Sequence, residues 1–144
     1  METVKIKRLD TNAIIPKYQR EGDSGFDLHA LENITIYPGA TVLVRTGLSF
    51  GIPNGYEIQV RPRSGLSFKT PLRVSNSPGT IDKNFTGEVC VIMENKSDNE
   101  QYSIKQHDRI AQGVLVPIAT ALFVEADQLE ETTRNDKGFG STGV

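Results

Sequence analysis

Short runs of β-branched and aromatic residues, often alternating with polar ones, recur along the chain with turn-forming residues between them. Val4-Lys5-Ile6-Lys7, Ile34-Thr35-Ile36, Thr41-Val42-Leu43-Val44, Tyr56-Glu57-Ile58-Gln59-Val60 and Val89-Cys90-Val91-Ile92-Met93 have the length and composition of strands. Pro38-Gly39, Pro53-Asn54-Gly55, Ser77-Pro78-Gly79 and Lys96-Ser97-Asp98-Asn99 supply the turns. Strand–helix–strand alternation, internal repeats and an interdomain linker are all absent. Helix is predicted at two places only, a turn or so around Gly65-Leu66-Ser67-Phe68-Lys69 and residues 126–131. The most apolar stretch, residues 113–124, is broken by Pro117, is too short to span a bilayer, and reads as core. The pattern predicts a single all-β domain with a jelly-roll-like arrangement, followed by an extended C-terminal arm.

Composition narrows the function. The 144 residues suit one domain, short enough for oligomerisation to help its stability. A formal net charge of -2 gives no broad cationic field for nucleic acid, so any basic groups that matter are placed singly. Cys90 is the lone cysteine, which excludes an intramolecular disulfide framework and a cysteine-rich zinc site and favours a cytoplasmic setting. The N-terminal segment has cations but no apolar region of the secretory type.

Candidate chemistry is concentrated in five segments. The tail, Arg134 through Gly138-Phe139-Gly140-Ser141-Thr142-Gly143, combines a guanidinium, two hydroxyls, an aromatic ring and glycines that let backbone approach a ligand. It reads as a flap over a nucleotide or as a frayed end, and both readings stand at this point. Arg63-Ser64-Gly65 places a guanidinium, a hydroxyl and an unobstructed N–H at a strand end, either as an anion clamp or as a turn with a surface ion pair. Residues 76–88 read as a wide-mouthed hairpin whose backbone could imitate the edge of a base. There Asn76 could add an amide contact, Asp82 could polarise a water and Phe85 could lie against a sugar; a turn aspartate and a core aromatic are the plainer alternatives. In His107-Asp108-Arg109-Ile110-Ala111-Gln112, the Gln112 amide suits a phosphate oxygen, while Asp108 and Arg109 fix the turn by pairing with one another or with neighbours. Asp23 and Asp27 flank a flexible Ser24-Gly25 without completing a calcium loop, and His29 and His107 read as surface or core-rim histidines.

In their order and spacing these segments resemble the motifs of the trimeric dUTP pyrophosphatases: Ser24-Gly25-Phe26-Asp27-Leu28, Pro62-Arg63-Ser64-Gly65-Leu66, Asn76-Ser77-Pro78-Gly79-Thr80-Ile81-Asp82 through Gly87-Glu88, Asp108-Arg109-Ile110-Ala111-Gln112, and Arg134 with the glycine-rich tail. The resemblance implies a distorted jelly-roll-like β-barrel over residues 1–133 and a flexible arm over 134–144 that closes on the active site. It implies hydrolysis of dUTP to dUMP and pyrophosphate, lowering dUTP and supplying dUMP for dTTP synthesis, with Mg2+ held mainly by the triphosphate. Asp82 would match the carboxylate that activates water for attack on the α-phosphorus. Arg63, Ser64, Gly65 and Gln112 would hold phosphates, and Arg134, Ser141 and Thr142 would clamp the terminal one while Phe139 covers the uracil. Asn76 and the backbone of Gly79, Thr80, Ile81 and Cys90 would meet the base. Phe85, where many relatives have tyrosine, would crowd a ribose 2'-hydroxyl.

Asp27 would meet the solvent around the metal or only stabilise the subunit, the second being favoured. Asn135-Asp136-Lys137-Gly138 replaces the consecutive glycines common before the phenylalanine. The resemblance further implies a homotrimer with arm exchange and a cytoplasmic location, the host's if the chain is viral. Two rivals are a dCTP deaminase, which needs a glutamate where this chain has Ile92 (Glu94 lies two residues on), and a nucleotide-gated protein that engages a regulatory partner.

Overall fold

A computed structural model describes residues 1–138. Among them are eleven strands and one short helix: β1 Lys5–Arg8, β2 Phe26–His29, β3 Ile34–Ile36, β4 Thr41–Arg45, β5 Leu48–Gly51, β6 Tyr56–Arg61, α1 Ser64–Lys69, β7 Leu72–Val74, β8 Gly79–Ile81, β9 Cys90–Asn95, β10 Tyr102–Ile104 and β11 Arg109–Pro117. All pairing is antiparallel. The larger sheets run β2-β11-β6-β8 and β4-β9-β7, and two ribbons, β1-β5 and β10-β3, complete an all-β, jelly-roll-like fold.

Alternation decides which faces meet. Val91, Met93 and Asn95 of β9, Ile58 and Val60 of β6, and Leu72 and Val74 of β7 turn inward, where they join Leu28, Ile36, Leu48, Phe50 and Ile110 in one core. Removing such side chains from water supplies most of the stabilisation, at about 1.5–3 kcal/mol each. Gly113 in β11 lies under the ring of Phe26, its register partner in β2; a Cβ there would overlap the ring. Phe26 in turn stacks on Phe50 and meets Tyr18 edge-on at 5.8 Å. Asn95 is fully buried yet satisfied, donating through Nδ2 to the carbonyls of Ile36 and Glu100. The turn signals hold at Gly39 and Gly55, both of which adopt the positive φ that glycine tolerates.

Helix α1 has no buried residue and ends abruptly. Thr70 turns extended before Pro71, which disfavours helical geometry in the residue ahead of it, and the Thr70 N–H and hydroxyl both return to the Leu66 carbonyl. The second predicted helix does not form: residues 126–131 carry no regular structure. Six residues without a packing partner are below the length at which helix nucleation is repaid. The apolar stretch at 113–124 divides at Pro117. Its first part is inside β11, whereas Leu122, Phe123 and Val124 are exposed on this chain. No helix among the described residues is long and apolar enough to cross a membrane.

Candidate active site

Three strands bring polar side chains into one row. A bulge at Ile110 shifts the register of β11 against β2, so that Arg109 faces His29 while Gln112 faces Asp27 on one side and Arg61 of β6 on the other. Immediately beyond Arg61 the chain turns into α1, with Arg63 at its N-cap. Asp27, 8% exposed, is the hub. Its carboxylate pairs with Arg63 Nε at 2.9 Å and with Arg109 Nη1 at 3.6 Å, and Gln19 Nε2 donates to it at 3.4 Å. Arg63 Nη1 also donates to the Arg109 carbonyl, so that guanidinium is held on two sides with Nη2 uncommitted among the described residues. Gln112 donates through Nε2 to the Pro62 carbonyl at 2.9 Å, and its side chain closes over Gly25, where a Cβ would collide with the amide oxygen.

These groups line an open polar cleft of about 330 Å³, which also takes in Ser64 and Gly65. A neighbouring groove of about 670 Å³ shares Ser64 and Gln112 and extends to Arg61 and Ser77. The first bond inside α1 is from the Ser67 N–H to the Arg63 carbonyl, which leaves the preceding N–H groups without intrahelical acceptors. The cleft therefore offers a fixed cation, a hydroxyl, amide donors and backbone N–H groups, the complement of a phosphorylated ligand.

The flanking polar residues serve the frame. Asp108 accepts from the Lys105 N–H through its side chain at 2.8 Å, fixing the turn as expected, but Arg109 pairs with Asp27 and not with Asp108. Asp23 caps the Arg20 N–H. His107 contacts the Asn12 carbonyl at 2.9 Å, whereas His29 is half-buried with Nδ1 inaccessible and unpartnered among the described residues. Burial is the chief cause that lowers the pKa of His29, Arg109, His107 and Arg63 add to the lowering, and Asp27 opposes it. Gln19 lies in the cleft although its loop shows no periodicity that singles it out.

Asp82 is elsewhere. The segment 76–88 is not a hairpin: β8 at its start pairs with β6, and β9 just after it pairs with β4 and β7, so the segment crosses between the two larger sheets. Ile81 lies opposite Ile58, placing Asp82 at the far end of β6 from Arg63. At ~3.3 Å per residue, roughly 13 Å of strand, from Glu57 opposite Asp82 to Arg61, lies between them before the turn to Arg63. One chain thus brings Arg63, Ser64, Gly65 and Gln112 together and leaves Asp82 apart.

Around Asp82, Gly79 and Ile81 are buried while Thr80 is exposed, and Asn76 packs over Gly79, its Nδ2 3.1 Å from where a Cβ would stand. Phe85 is 46% exposed, its ring against Gly87. Cys90 is half-buried, and burial first, then the nearby Glu88, pushes its thiol pKa up. Arg134 sits in an exposed turn where Nε donates to the Lys137 carbonyl at 2.8 Å. Phe139, Ser141 and Thr142 lie outside the described residues.

Comparison with known proteins identifies the family. The dUTPase family model matches residues 11–143. The chain is 50% identical over 141 residues to the deoxyuridine 5'-triphosphate nucleotidohydrolase of Helicobacter pylori strain P12, covering 98% of this chain and 97% of that protein. Its fold superposes on the dUTPase of Staphylococcus bacteriophage 80alpha, solved with dUPNHPP, with a TM-score of 0.93 and 30% identity over the full length of both chains. A mutant dUTPase of phage phi11 of S. aureus, whose structure gives the coordination of a structural Mg(II) ion, superposes with a TM-score of 0.84 at 25% identity, covering 90% of this chain and all of that one. The chain belongs to the dUTPase family.

Proposed function

We propose that the chain hydrolyses dUTP to dUMP and pyrophosphate, with Asp82 activating the water that attacks the α-phosphorus. The observation that carries this reading is the Asp27-fixed Arg63 guanidinium beside Ser64, Gly65 and Gln112. Phosphoryl transfer asks for little covalent help from the protein and much fixed positive charge and in-line positioning. A donor held before the ligand arrives spends no reorganisation at the moment of reaction. Base selection follows from β8, which is the edge strand of its sheet and so keeps one row of backbone groups for a base edge. Asn76 and the backbone of Gly79, Thr80, Ile81 and Cys90 read the uracil, and Phe85 excludes a 2'-hydroxyl.

The working unit in this reading is a homotrimer. Asp82 stands opposite the start of β6 and Arg63 follows its end, with about 13 Å of strand between, so the two do not face one phosphate on the same copy. The clamp of one copy therefore works with the Asp82 loop of another, and the arm of a third brings Arg134, Phe139, Ser141 and Thr142 over the ligand. Leu122, Phe123, Val124 and Leu129, exposed on this chain, are the natural surface to bury in such an assembly.

No group of three or more metal-ligating side chains occurs among the described residues, and both Asp27 oxygens engage arginines. Mg2+ would be held mainly by the triphosphate, with Asp27 a weak indirect candidate because its carboxylate already pairs with Arg63 and Arg109. The ion would neutralise phosphate charge. The reaction lowers dUTP and supplies dUMP for dTTP synthesis, in the cytoplasm of the cell or of a viral host. The phage 80alpha relative belongs to dUTPases that control transfer of virulence genes by a G protein-like mechanism. A regulatory partner is the second reading for this chain.

Pyrophosphate release measured across dUTP, dTTP, dCTP and UTP, with and without Mg2+, tests the proposal. Activity on dUTP alone, dependent on Mg2+ and severely reduced by truncation before Arg134, is expected. Comparable turnover of dTTP refutes the backbone reading of the base. Ammonia released from dCTP restores the deaminase alternative, and an undiminished truncated chain refutes the arm.

A further inference from the structure

The stretch that carries Asp82 and Phe85 is held almost entirely from one side. Within residues 82–87 there is one internal bond, from the Phe85 N–H to the Asp82 carbonyl at 3.0 Å. Among the described residues one side chain anchors the stretch from outside: Ser49 Oγ of β5 donates to the Thr86 carbonyl at 2.6 Å. Just downstream the β4–β5 turn takes over. Thr46 Oγ1 donates to the Val89 carbonyl at 2.6 Å, the Gly47 N–H donates to the Glu88 carboxylate at 2.9 Å, and the Val89 N–H donates to the Leu48 carbonyl at 2.8 Å. Residues 46–49 thus grip residues 86–89 as a row.

Within that row Ser49 differs from Thr46. Both residues are buried, Ser49 at 5% and Thr46 at 1% exposure. Thr46 also accepts from the Leu48 N–H, so it stabilises its own turn, while the side-chain bond of Ser49 goes only to the loop. A buried hydroxyl in a strand is costly unless bonded, and this bond reaches the peptide between the two residues that shape the loop tip. Phe85 precedes Thr86 and Gly87 follows it. A Cβ on Gly87 would stand 2.9 Å from Phe85 Cζ and 3.1 Å from Cε2, so the outer edge of the ring abuts the glycine that follows the Thr86 carbonyl.

We propose that Ser49 is a specificity-determining positioning residue: its hydroxyl fixes the Thr86 carbonyl and thereby holds the Phe85 ring where it excludes a ribose 2'-hydroxyl. The inference rests on the dUTP reading given above. Ser49 touches no substrate and acts through Thr86. Without its hydroxyl the Thr86 carbonyl loses its partner, the loop tip is released, and the ring yields to the ribose.

The experiment is steady-state pyrophosphate release from dUTP and UTP, with Mg2+, by the wild-type chain and by Ser49→Ala, Ser49→Thr and Ser49→Cys, with thermal unfolding of each. For Ser49→Ala the dUTP:UTP ratio of kcat/KM is expected to fall about tenfold, mainly through KM, as the loss of one buried hydrogen bond implies. Ser49→Thr, which keeps the hydroxyl, returns the ratio to within about threefold of wild type. If Ser49→Ala does not fold, Ser49→Cys decides, since its weaker donor shifts the ratio in the same direction by less. An unchanged ratio in a folded Ser49→Ala or Ser49→Cys, or an equal loss on both nucleotides, overturns the proposal. A wild-type chain that leaves dUTP intact defeats the dUTP reading itself, and is seen before any variant is compared.

Discussion

The two ends of β6 are built in opposite ways. At one end Arg63 is fixed by a carboxylate 8% exposed, a second arginine shares that carboxylate, and a bulge in β11 sets the alignment of the row. At the other, residues 82–87 stand in solvent, and among the described residues the one side chain that bonds them from outside is Ser49. The difference follows from what each end handles. Phosphate charge is best met by donors oriented in advance inside the protein, where the field is strong and nothing has to rearrange. On the proposed mechanism, a carboxylate that aims water and a ring that measures a sugar would instead have to protrude far enough to reach a ligand held by another copy.

The sharpest way to break this comparison is to remove the acid at the exposed end. Asp82→Asn keeps the shape and removes the base, so kcat for dUTP should fall by about 10³-fold with KM little changed. Pyrophosphate release under saturating dUTP measures it. Retention of more than a tenth of wild-type kcat would transfer the chemistry away from this loop.

Next in size is the turn that supports the loop. Gly47 has φ +70, and a Cβ there would stand 2.8 Å from the Ala13 Cβ. Gly47→Ala combines backbone strain with overpacking and should cost about 3 kcal/mol, a drop of about 10 °C in Tm. Because the Gly47 N–H also binds Glu88, discrimination between dUTP and UTP should weaken in the same variant. A Tm within about 2 °C of wild type would mean that the turn is softer than its packing implies.

At the clamp end, Asp27→Asn leaves the shape intact but removes the charge shared by Arg63 and Arg109. The arginines are partly exposed, which limits the stability loss. The expected result is KM for dUTP raised about tenfold and kcat changed less than about threefold. A kcat loss as deep as that of Asp82→Asn would erase the division of labour between the two ends.

How far the sequence disclosed this arrangement depends on whether the cause was local. Strands β1, β3, β4, β6 and β9 were legible from composition and from alternation that survives wherever one face is solvated. Strand β2 was not, because Phe26, Asp27 and Leu28 are all buried and the period vanishes. Strand β5 was not legible either, because Leu48, Ser49 and Phe50 are all buried; the Thr86 carbonyl, thirty-seven positions away, accounts for the buried serine. Arg63, Ser64, Gly65 and Gln112 were recognisable by type and order, and the structure brings them together. The separation of Asp82 from them was not, since it follows from the register of β8 on β6. Residues 118–124 read as core because they are apolar. Apolar character says that burial is favourable, and is silent on which molecule provides it.

The smallest predicted effect probes the buried back of the clamp. His29 faces Arg109 across the β2–β11 pair, and burial, the largest influence, lowers its pKa from the ordinary ~6.5. As pH falls, the unfolded chain therefore takes up a proton at this residue before the folded chain does. The stability contributed by neutral His29 is present above pH ~6.5, is lost as pH falls through that value, and levels off once the folded form also titrates. Thermal unfolding of wild type and His29→Gln between pH 8 and pH 5 isolates the contribution, because other titrating groups are common to both. The wild-type Tm should fall more steeply below pH ~6.5 than that of the variant. A proton at this position would add a third positive charge beside Arg109 and Arg63, with only Asp27 to offset it. Parallel curves would mean that the buried side of the clamp tolerates charge as readily as the solvent-facing loop at the other end of β6.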